Sequence, residues 1–595
     1  MIFAQGICRD VKNQAGQPAR RGGNRAAIFV YGKKERKKER KLFVSDTLEV
    51  YGIDRICLSC IAMAAIDTMA FISNGVSLVT YFTGYMNFSI TKSATTVTNF
   101  MGTAFLVTLF GAFLSDTYLS RFKTCVLFGC FEVLGYAVLA VQAHFHQLRP
   151  LPCKGMPPSQ MDQCQPAKGG EIAVLFGGLY LVAFGTSGVK AACPSLGADQ
   201  FDENDPKEAE IKLSSYFNWF LFFLTIGGML GVTFLVWISD NQGWDWSFAV
   251  CSIAVGMAIL FLTMGKSLYR NNVPKGSPIL RILQVFVAAF RNRNLPLPEN
   301  EADLHQIPDN EPVEILKRTD QLKFLDRAAI LNQEFQGSWN LCTVTQIEET
   351  KIVVRMLPII ASTVFMNTCL AQLQTFTIQQ STIMDRNLGT FQVPGASIPV
   401  IPLLFMFVLI PIYERVFIPL ARGFTGIPSG IRQLQRIGVG LVLSAVSMAA
   451  AGAVETHRKN AAEKHEMVSV FWLGIQYGIF GMADMFTLVG LFDFFYTESS
   501  AGMKSLSTAI SWCSLAFGYF MSSVVVEVVN KVSGGWLADN NLNRDKLNYF
   551  YWLLAGLSVV NFGFYLVCAS WYKYKEVEVR EEHEHPKGKI EMGLV

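Results

Sequence analysis

The chain has 595 residues, of which 98 are charged (51 Lys+Arg, 47 Asp+Glu), a share of 16% against roughly 25% in an average soluble protein. Its mean hydropathy is positive. That excludes disorder, collagen and a disulfide-stapled miniprotein. The net charge of +4, spread over many loops, gives no basis for a nucleic-acid partner. Apolar blocks of 18 or more residues recur from residue 56 to 571, separated by short charged loops, which is the pattern of a polytopic membrane protein.

The amino terminus, residues 1–55, reads as a polar cytosolic segment with no qualifying signal peptide: Arg9, Lys12 and Arg20 are followed by no suitable apolar stretch and cleavage site. Six apolar spans centred near residues 71, 104, 133, 181, 227 and 255 predict a first helical bundle over 56–266. A polar linker, 267–350, follows with Pro274, Pro278, Pro296, Pro298 and Pro308. Within it Leu280 to Phe290 and Leu325 to Ile330 are apolar enough for short surface helices, and the rest reads as flexible. Six further spans, centred near 365, 405, 443, 481, 517 and 560, predict a second bundle over 351–572, followed by a tail, 573–595. The fold class is therefore an all-α polytopic membrane protein of twelve transmembrane helices in a 6+6 arrangement, as in duplicated secondary transporters.

Positive charge gives the orientation. Lys33 to Lys41, Arg121, Lys123, the linker's Lys266, Arg270, Lys275, Arg281, Arg291 and Arg293, and then Arg415, Arg422, Arg432 and Arg436 fall on one side, which predicts cytosolic termini and linker. Cys153 and Cys164 share a loop on the opposite side, where they either pair or stay free. Most other cysteines lie inside apolar blocks and read as packing, as do Cys57 and Cys60. Asn87-Phe88-Ser89 is a glycosylation sequon too close to the membrane for use.

No P-loop, HExxH or strand-borne GxSxG occurs, so the chain reads as no enzyme, with no metal and no cofactor. His144 and His146 fall at a helix end, while His305, His457, His465, His583 and His585 fall in loops or the tail, which leaves no histidine relay inside the bundle. Three ionisable residues inside spans stand out, each costing about 3 kcal/mol at a helix centre unless it faces a partner or cavity. Asp67 is mid-span in AIDTMAF, Lys190 closes the fourth span in FGTSGVKAAC, and Asp484 interrupts the tenth in FGMADMFTL. One reading makes Lys190 a snorkelling interfacial residue and the two Asp helix-packing acceptors. The other places them in a central cavity where Lys190 attracts an anion and the carboxylates take up protons. Asn74, Asn99 and Asn367 add neutral hydrogen-bonding groups at similar depth. Gly111, Asp116 and Arg121 in GAFLSDTYLSRFK follow the spacing of the major-facilitator loop between helices 2 and 3, a cytosolic gate, and PIYERVFIPLAR echoes it in the second half.

Six phrases, VTNFMGTAF (97–105), GADQFDEND (197–205), FNWF (217–220), FQVPGAS (391–397), LQRIGVGL (434–441) and AGMKSLSTAISW (501–512), carry a resemblance over nearly the whole chain. The chain resembles a plant member of the nitrate/peptide transporter family, the proton-coupled oligopeptide transporter relatives within the major facilitator superfamily. ADMFTLVGLFDFF and NLNRDKLNYFYWLL resemble in particular the subfamily with abscisic acid and gibberellin importers. The resemblance implies a secondary transporter of the plasma membrane whose partners are a small anionic substrate, protons and the bilayer. It also implies that Lys190 is the family's helix 4 lysine and that Asp484 stands where a helix 10 glutamate meets substrate. Two departures follow from the comparison. The first-helix ExxER proton-coupling signature stands here as Ala64-Ala65-Ile66-Asp67-Thr68, with one carboxylate and the Arg absent. Leu370 in CLAQL replaces the helix 7 histidine of nitrate carriers, which favours a larger, partly apolar acid over nitrate.

RAAIFVYG (25–32) and MAAIDTMAF (63–71) would join into one first helix of that family, so 33–62, with the nine charges KKERKKERK, reads as an insertion. Thirty residues correspond to ninety nucleotides. A retained intron and a genuine basic arm are the two explanations.

Overall fold

The computed structural model describes residues 55–574 except 89, 151–164, 202–205, 268, 271–276, 299–303, 307–315, 331–336, 338, 389–390, 393–396, 428, 500–502, 538–541 and 544. The basic run at 33–41, Lys275, the loop with Cys153 and Cys164, Ser89 of the sequon, and the tail beyond 574 lie outside the described residues.

Among the described residues, twelve helices are long and apolar enough to cross a bilayer: α1 Leu58–Gly84, α2 Thr96–Thr117, α3 Arg121–His144, α4 Gly170–Ala198, α5 Lys212–Asn241, α6 Trp244–Met264, α7 Val344–Ser381, α8 Val400–Thr425, α9 Gln433–Glu463, α10 Val470–Glu498, α11 Lys504–Ser533 and α12 Leu547–Trp571. Their form follows from the solvent. A chain inside hydrocarbon must satisfy its peptide groups internally, and at about 1.5 Å per residue even a helix of the length of α6 covers a core about 30 Å thick. Helix α1 forms from ICLSCIAMAAIDTMAF without the basic run; Cys60 and Ile61 are fully buried in it. Five residues of α5, Gly231–Leu235, and five of α8, Tyr413–Phe417, wind as π turns. The described residues add one two-stranded antiparallel sheet, Asn387–Leu388 with Phe391–Gln392, between α7 and α8.

Helix packing is tightest where glycines meet. A Cβ on Gly111 of α2 would lie 2.8 Å from the Gly188 Cα of α4, so the two backbones cross in contact. One turn away on α4, a Cβ on Gly185 would lie 2.4 Å from the Glu132 backbone nitrogen of α3. Small residues therefore bring α2 and α3 directly against the part of α4 that carries Lys190.

The twelve spans, apart from the start of α7, form one unit, and the described residues of Ile279–Arg355 with Tyr572, Lys573 and Tyr574 form a second. In the second unit an amphipathic helix, Pro278–Arg291, buries Val285, Ala288 and Ala289 in one apolar cluster with Leu304, Leu325, Ala328, Ala329, Cys342 and Ile347. Lys351 Nζ lies 2.6 Å from Asp326 and 2.7 Å from Glu348. Part of the stretch read as flexible is thus a folded element with its own core and ion pairs. The two short apolar runs could not bury themselves, and their burial orders the segments around them.

Candidate functional site

Lys190 and Asp67 meet inside the first bundle. Asp67 is 2% exposed and Lys190 7%, and Lys190 Nζ donates to Asp67 Oδ2 at 2.5 Å. Thr186, one turn before Lys190 on α4, accepts from the same Nζ at 2.6 Å and donates to Asp67 Oδ1 at 2.5 Å. The ammonium also lies 4.3 Å from the centre of the Phe71 ring. The helical spacing explains the grouping: residues i and i+4 share a face, so Thr186 with Lys190 on α4, and Asp67 with Phe71 on α1, converge on one point. Lys190 does not snorkel outward. It is a buried charge neutralised by a buried carboxylate, the arrangement low dielectric demands.

Beside this pair is a small cavity lined mainly by apolar groups, among them Ala64, Val189, Phe220, Leu224 and Trp512, with Asp67, Thr68 and Lys190 as its polar wall. Its free space is on the scale of one water molecule. Trp512 of α11 stacks on Phe105 and donates its indole N–H to the Lys190 carbonyl at 3.2 Å, so the second half of the chain closes directly over the charged pair.

The remaining expected site residues are elsewhere. Asp484, on α10, is half-buried and has no hydrogen-bond or ion-pair partner among the described residues; it lies within electrostatic reach of Tyr519, whose hydroxyl donates to Gln374. It does not join Lys190. Asn74 donates to the Ala70 carbonyl at 2.6 Å within its own helix, and Asn367 donates to Ser514 of α11 at 2.6 Å. Asn99 is exposed and Leu370 half-buried. None of these four lines the cavity; short polar side chains in apolar helices first satisfy themselves on neighbouring backbone or helices.

Asp116 and Arg121 belong to a second polar cluster, a latch that joins α2, α3 and α4 to α10 and α11, whereas Gly111 packs on Gly188 instead. Arg121 Nε donates to Ser505 of α11 at 2.8 Å, its Nη1 pairs with Asp199 at the end of α4, and Nη2 lies 3.7 Å from Asp116. Asp116 accepts the Leu506 amide at 3.0 Å, and Asp199 accepts the Tyr496 hydroxyl of α10 at 2.9 Å. Ser195 with Thr508, 3.0 Å apart, extends the seam along α4 and α11. A third contact lies between α5 and α8, where Glu414 accepts from Ser215 and Asn218, both at 2.5 Å, and Arg436 of α9 donates to Asn218 at 2.5 Å. Arg415 and Arg436, counted from sequence among the cytosolic-side charges, lie inside helices α8 and α9, and Arg436 is buried over the Tyr413 ring. His457 also lies within a helix, α9, where its exposed ring packs on Trp472.

A buried carboxylate beside the Asp67–Lys190 pair escaped the sequence reading. Glu132, at the centre of α3 in CFEVLG, is 0% exposed, and neither of its carboxyl oxygens has a hydrogen-bond partner of good geometry among the described residues. It faces Asp67 and Lys190 electrostatically. The criterion that selects Asp67, a lone carboxylate at mid-span, selects Glu132 equally.

This architecture has counterparts of known kind. The POT family profile (PTR2) matches residues 122–541. The chain belongs to the POT family. It is 40% identical to Protein NRT1/ PTR FAMILY 4.4 of Arabidopsis thaliana over 95% of this chain and 90% of that protein, and 41% identical to Protein NRT1/ PTR FAMILY 4.5 of the same plant over 86% and 92%. The in meso crystal structure of the POT family transporter PepTSo superposes with a TM-score of 0.59 at 16% identity, covering 87% of this chain and 98% of that one. A POT family transporter in complex with 5-aminolevulinic acid superposes with a TM-score of 0.55 at 11% identity, covering 87% and 96%. The twelve-helix fold is that of POT transporters, and this POT member is an integral membrane transporter.

Proposed function

We propose that this transporter imports a small organic anion with a substantial apolar body, a plant hormone acid of the abscisic acid or gibberellin kind, together with a proton, across the plasma membrane, with both termini cytosolic. The observation that carries this reading is the Asp67–Lys190 pair, 2.5 Å apart and buried beside a mainly apolar wall. A carboxylate entering that wall would find one cation, Lys190, already neutralised by Asp67. It can take the lysine only if Asp67 lets go. An ionised Asp67 left unpaired in the interior would cost several kcal/mol, so Asp67 must bind a proton as it is displaced. The charge then balances: the empty site holds one ammonium and one carboxylate, and the loaded site holds the ammonium, the substrate anion and a protonated Asp67. One proton enters with each anion, and external acidity favours loading.

Alternating access follows from the placement of the latch. Asp199 lies nine residues beyond Lys190 on α4, about 14 Å along the helix. Trp512, Thr508 and Ser505 bring the same face of α11 to the Lys190 carbonyl, Ser195 and Arg121 in turn. Substrate and latch therefore bear on the same two helices, and the present conformation, with almost no free space beside Lys190, is the closed one. The lining of Phe220 and Leu224 favours an apolar acid over an inorganic anion. A panel of labelled acids and nitrate, offered at acidic and neutral external pH, tests the reading. Accumulation of a carboxylate with an apolar body, greater in acid, supports it; nitrate uptake exceeding that of every organic acid, or ligand binding with no accumulation, overturns it.

A further inference from the structure

Glu132 has no part in the account above, yet its position is costly. An apolar side chain would fill the same space between α3 and α4 without burying an acid. Here the backbones touch at Gly185, adjacent to Thr186, so the Glu132 carboxyl is held beside the network of Thr186, Asp67 and Lys190. Among the described residues, its surroundings supply no second cation. Asp67 faces it from α1, Lys190 from α4 and the Cys251 thiol from α6, with the Tyr136 hydroxyl one turn along its own helix. Lys190 is already neutralised by Asp67. An ionised Glu132 would therefore be a buried, unpaired anion next to another anion, and the stable arrangement keeps its proton on.

We propose that Glu132 is a second proton-carrying group of this site, a relay that passes its proton to Asp67 when the substrate carboxylate takes Lys190; this rests on the coupled-import reading above. The steps balance. In the empty site Lys190 is an ammonium, Asp67 a carboxylate and Glu132 an acid, with net charge zero. As the anion displaces Asp67, the Glu132 O–H bond breaks, an O–H bond forms on Asp67, and Glu132 recovers a proton from the external side. The loaded site holds two acids, the ammonium and the anion, again with net charge zero. On release the anion leaves, Asp67 loses its proton to the internal side and pairs again with Lys190.

Infrared difference spectroscopy on the full chain in lipid, without substrate at neutral pH, reads the resting proton. The acid carbonyl band expected of the native protein should be absent in Glu132→Gln and present at a shifted frequency in Glu132→Asp; identical spectra for the native protein and Glu132→Gln would overturn the proposal. Uptake reads the relay. Glu132→Gln should lower the maximal rate about tenfold or more, with the concentration for half-maximal uptake little changed, because Asp67 must then draw its proton directly from water. Asp67→Asn should keep residual acid-stimulated uptake through Glu132, and the double variant should lose all response to pH. A native protein whose uptake moves protons, with Glu132→Gln matching its rate and pH profile, overturns the relay alone. Native uptake with no proton movement overturns the coupled-import reading and the relay together.

Discussion

Lys190 Nζ and Asp67 Oδ2 lie 2.5 Å apart, on residues 123 positions apart in sequence and joined here by Thr186, which bonds to both. The pair is nearly inaccessible, so each charge depends on the other. Lys190→Met alone should leave Asp67 buried without a cation and lower stability by about 3–5 kcal/mol, whereas Lys190→Met with Asp67→Asn should recover most of that loss without recovering transport. Thermal unfolding of the three proteins in one detergent checks the cycle; additive losses would show that the pair is not energetically coupled.

The seam between α4 and α11 makes a mechanical prediction. Ser195 and Thr508 have hydroxyls 3.0 Å apart in the closed conformation. Replacing both with cysteine and oxidising should join the halves and stop uptake, and reductant should restore it. Uptake that continues with the cross-link formed would show that this seam need not open.

Arg121 neutralises two buried carboxylates, Asp116 and Asp199, on the first-half side of the latch. Arg121→Gln should leave both without their cation and favour the open latch, so a cysteine placed at Ala509 should react faster with a water-soluble thiol reagent than in the parent protein. An unchanged rate would remove Arg121 from the gate.

Much of this was legible in the sequence because the bilayer imposes it. Each of the twelve spans is a long continuous apolar run, and the other backbone form that survives in hydrocarbon, the closed barrel, is built from short alternating strands, so count and class follow from the apolar pattern. Asp67 and Lys190 were legible for the same reason: a charge in such a run has to be compensated. What the sequence does not display is the partner. Asp484 satisfies the same rule as Asp67 yet sits apart on α10, and Glu132 satisfies it at the centre of α3 but is obscured by the length of the apolar run around it. Asp199 and Tyr496 are unremarkable in sequence, and only the crossing of α4, α10 and α11 turns them into a latch. Arg436 shows the converse: a basic residue near a span boundary reads as a topology signal, whereas a single additional helical turn places it inside, against Asn218.

The insertion can be tested against the geometry of α1. Deleting residues 33–62 would place Val30 and Tyr31 where the buried Cys60 and Ile61 now pack, keeping an apolar helix ahead of Asp67. Expression and uptake should be preserved or improved. Loss of uptake on deletion, with abundant transcript containing those thirty codons, would show that the segment is required.

Orientation is checked from outside the cell. A cysteine placed in the 267–350 linker should be protected from an impermeant reagent in intact cells and should react once the membrane is opened. Reaction in intact cells would reverse the topology.

The central claim is that Lys190 holds the substrate anion and that Asp67 must take a proton to release it. Simultaneous measurement of labelled organic acid uptake and proton flux in proteoliposomes tests both parts at once, in the native protein and in Lys190→Ala. The native protein should move one proton with each anion, and Lys190→Ala should move neither while still reaching the membrane. Uptake by Lys190→Ala at the native rate, or accumulation of the acid by the native protein with no accompanying proton, would contradict the account.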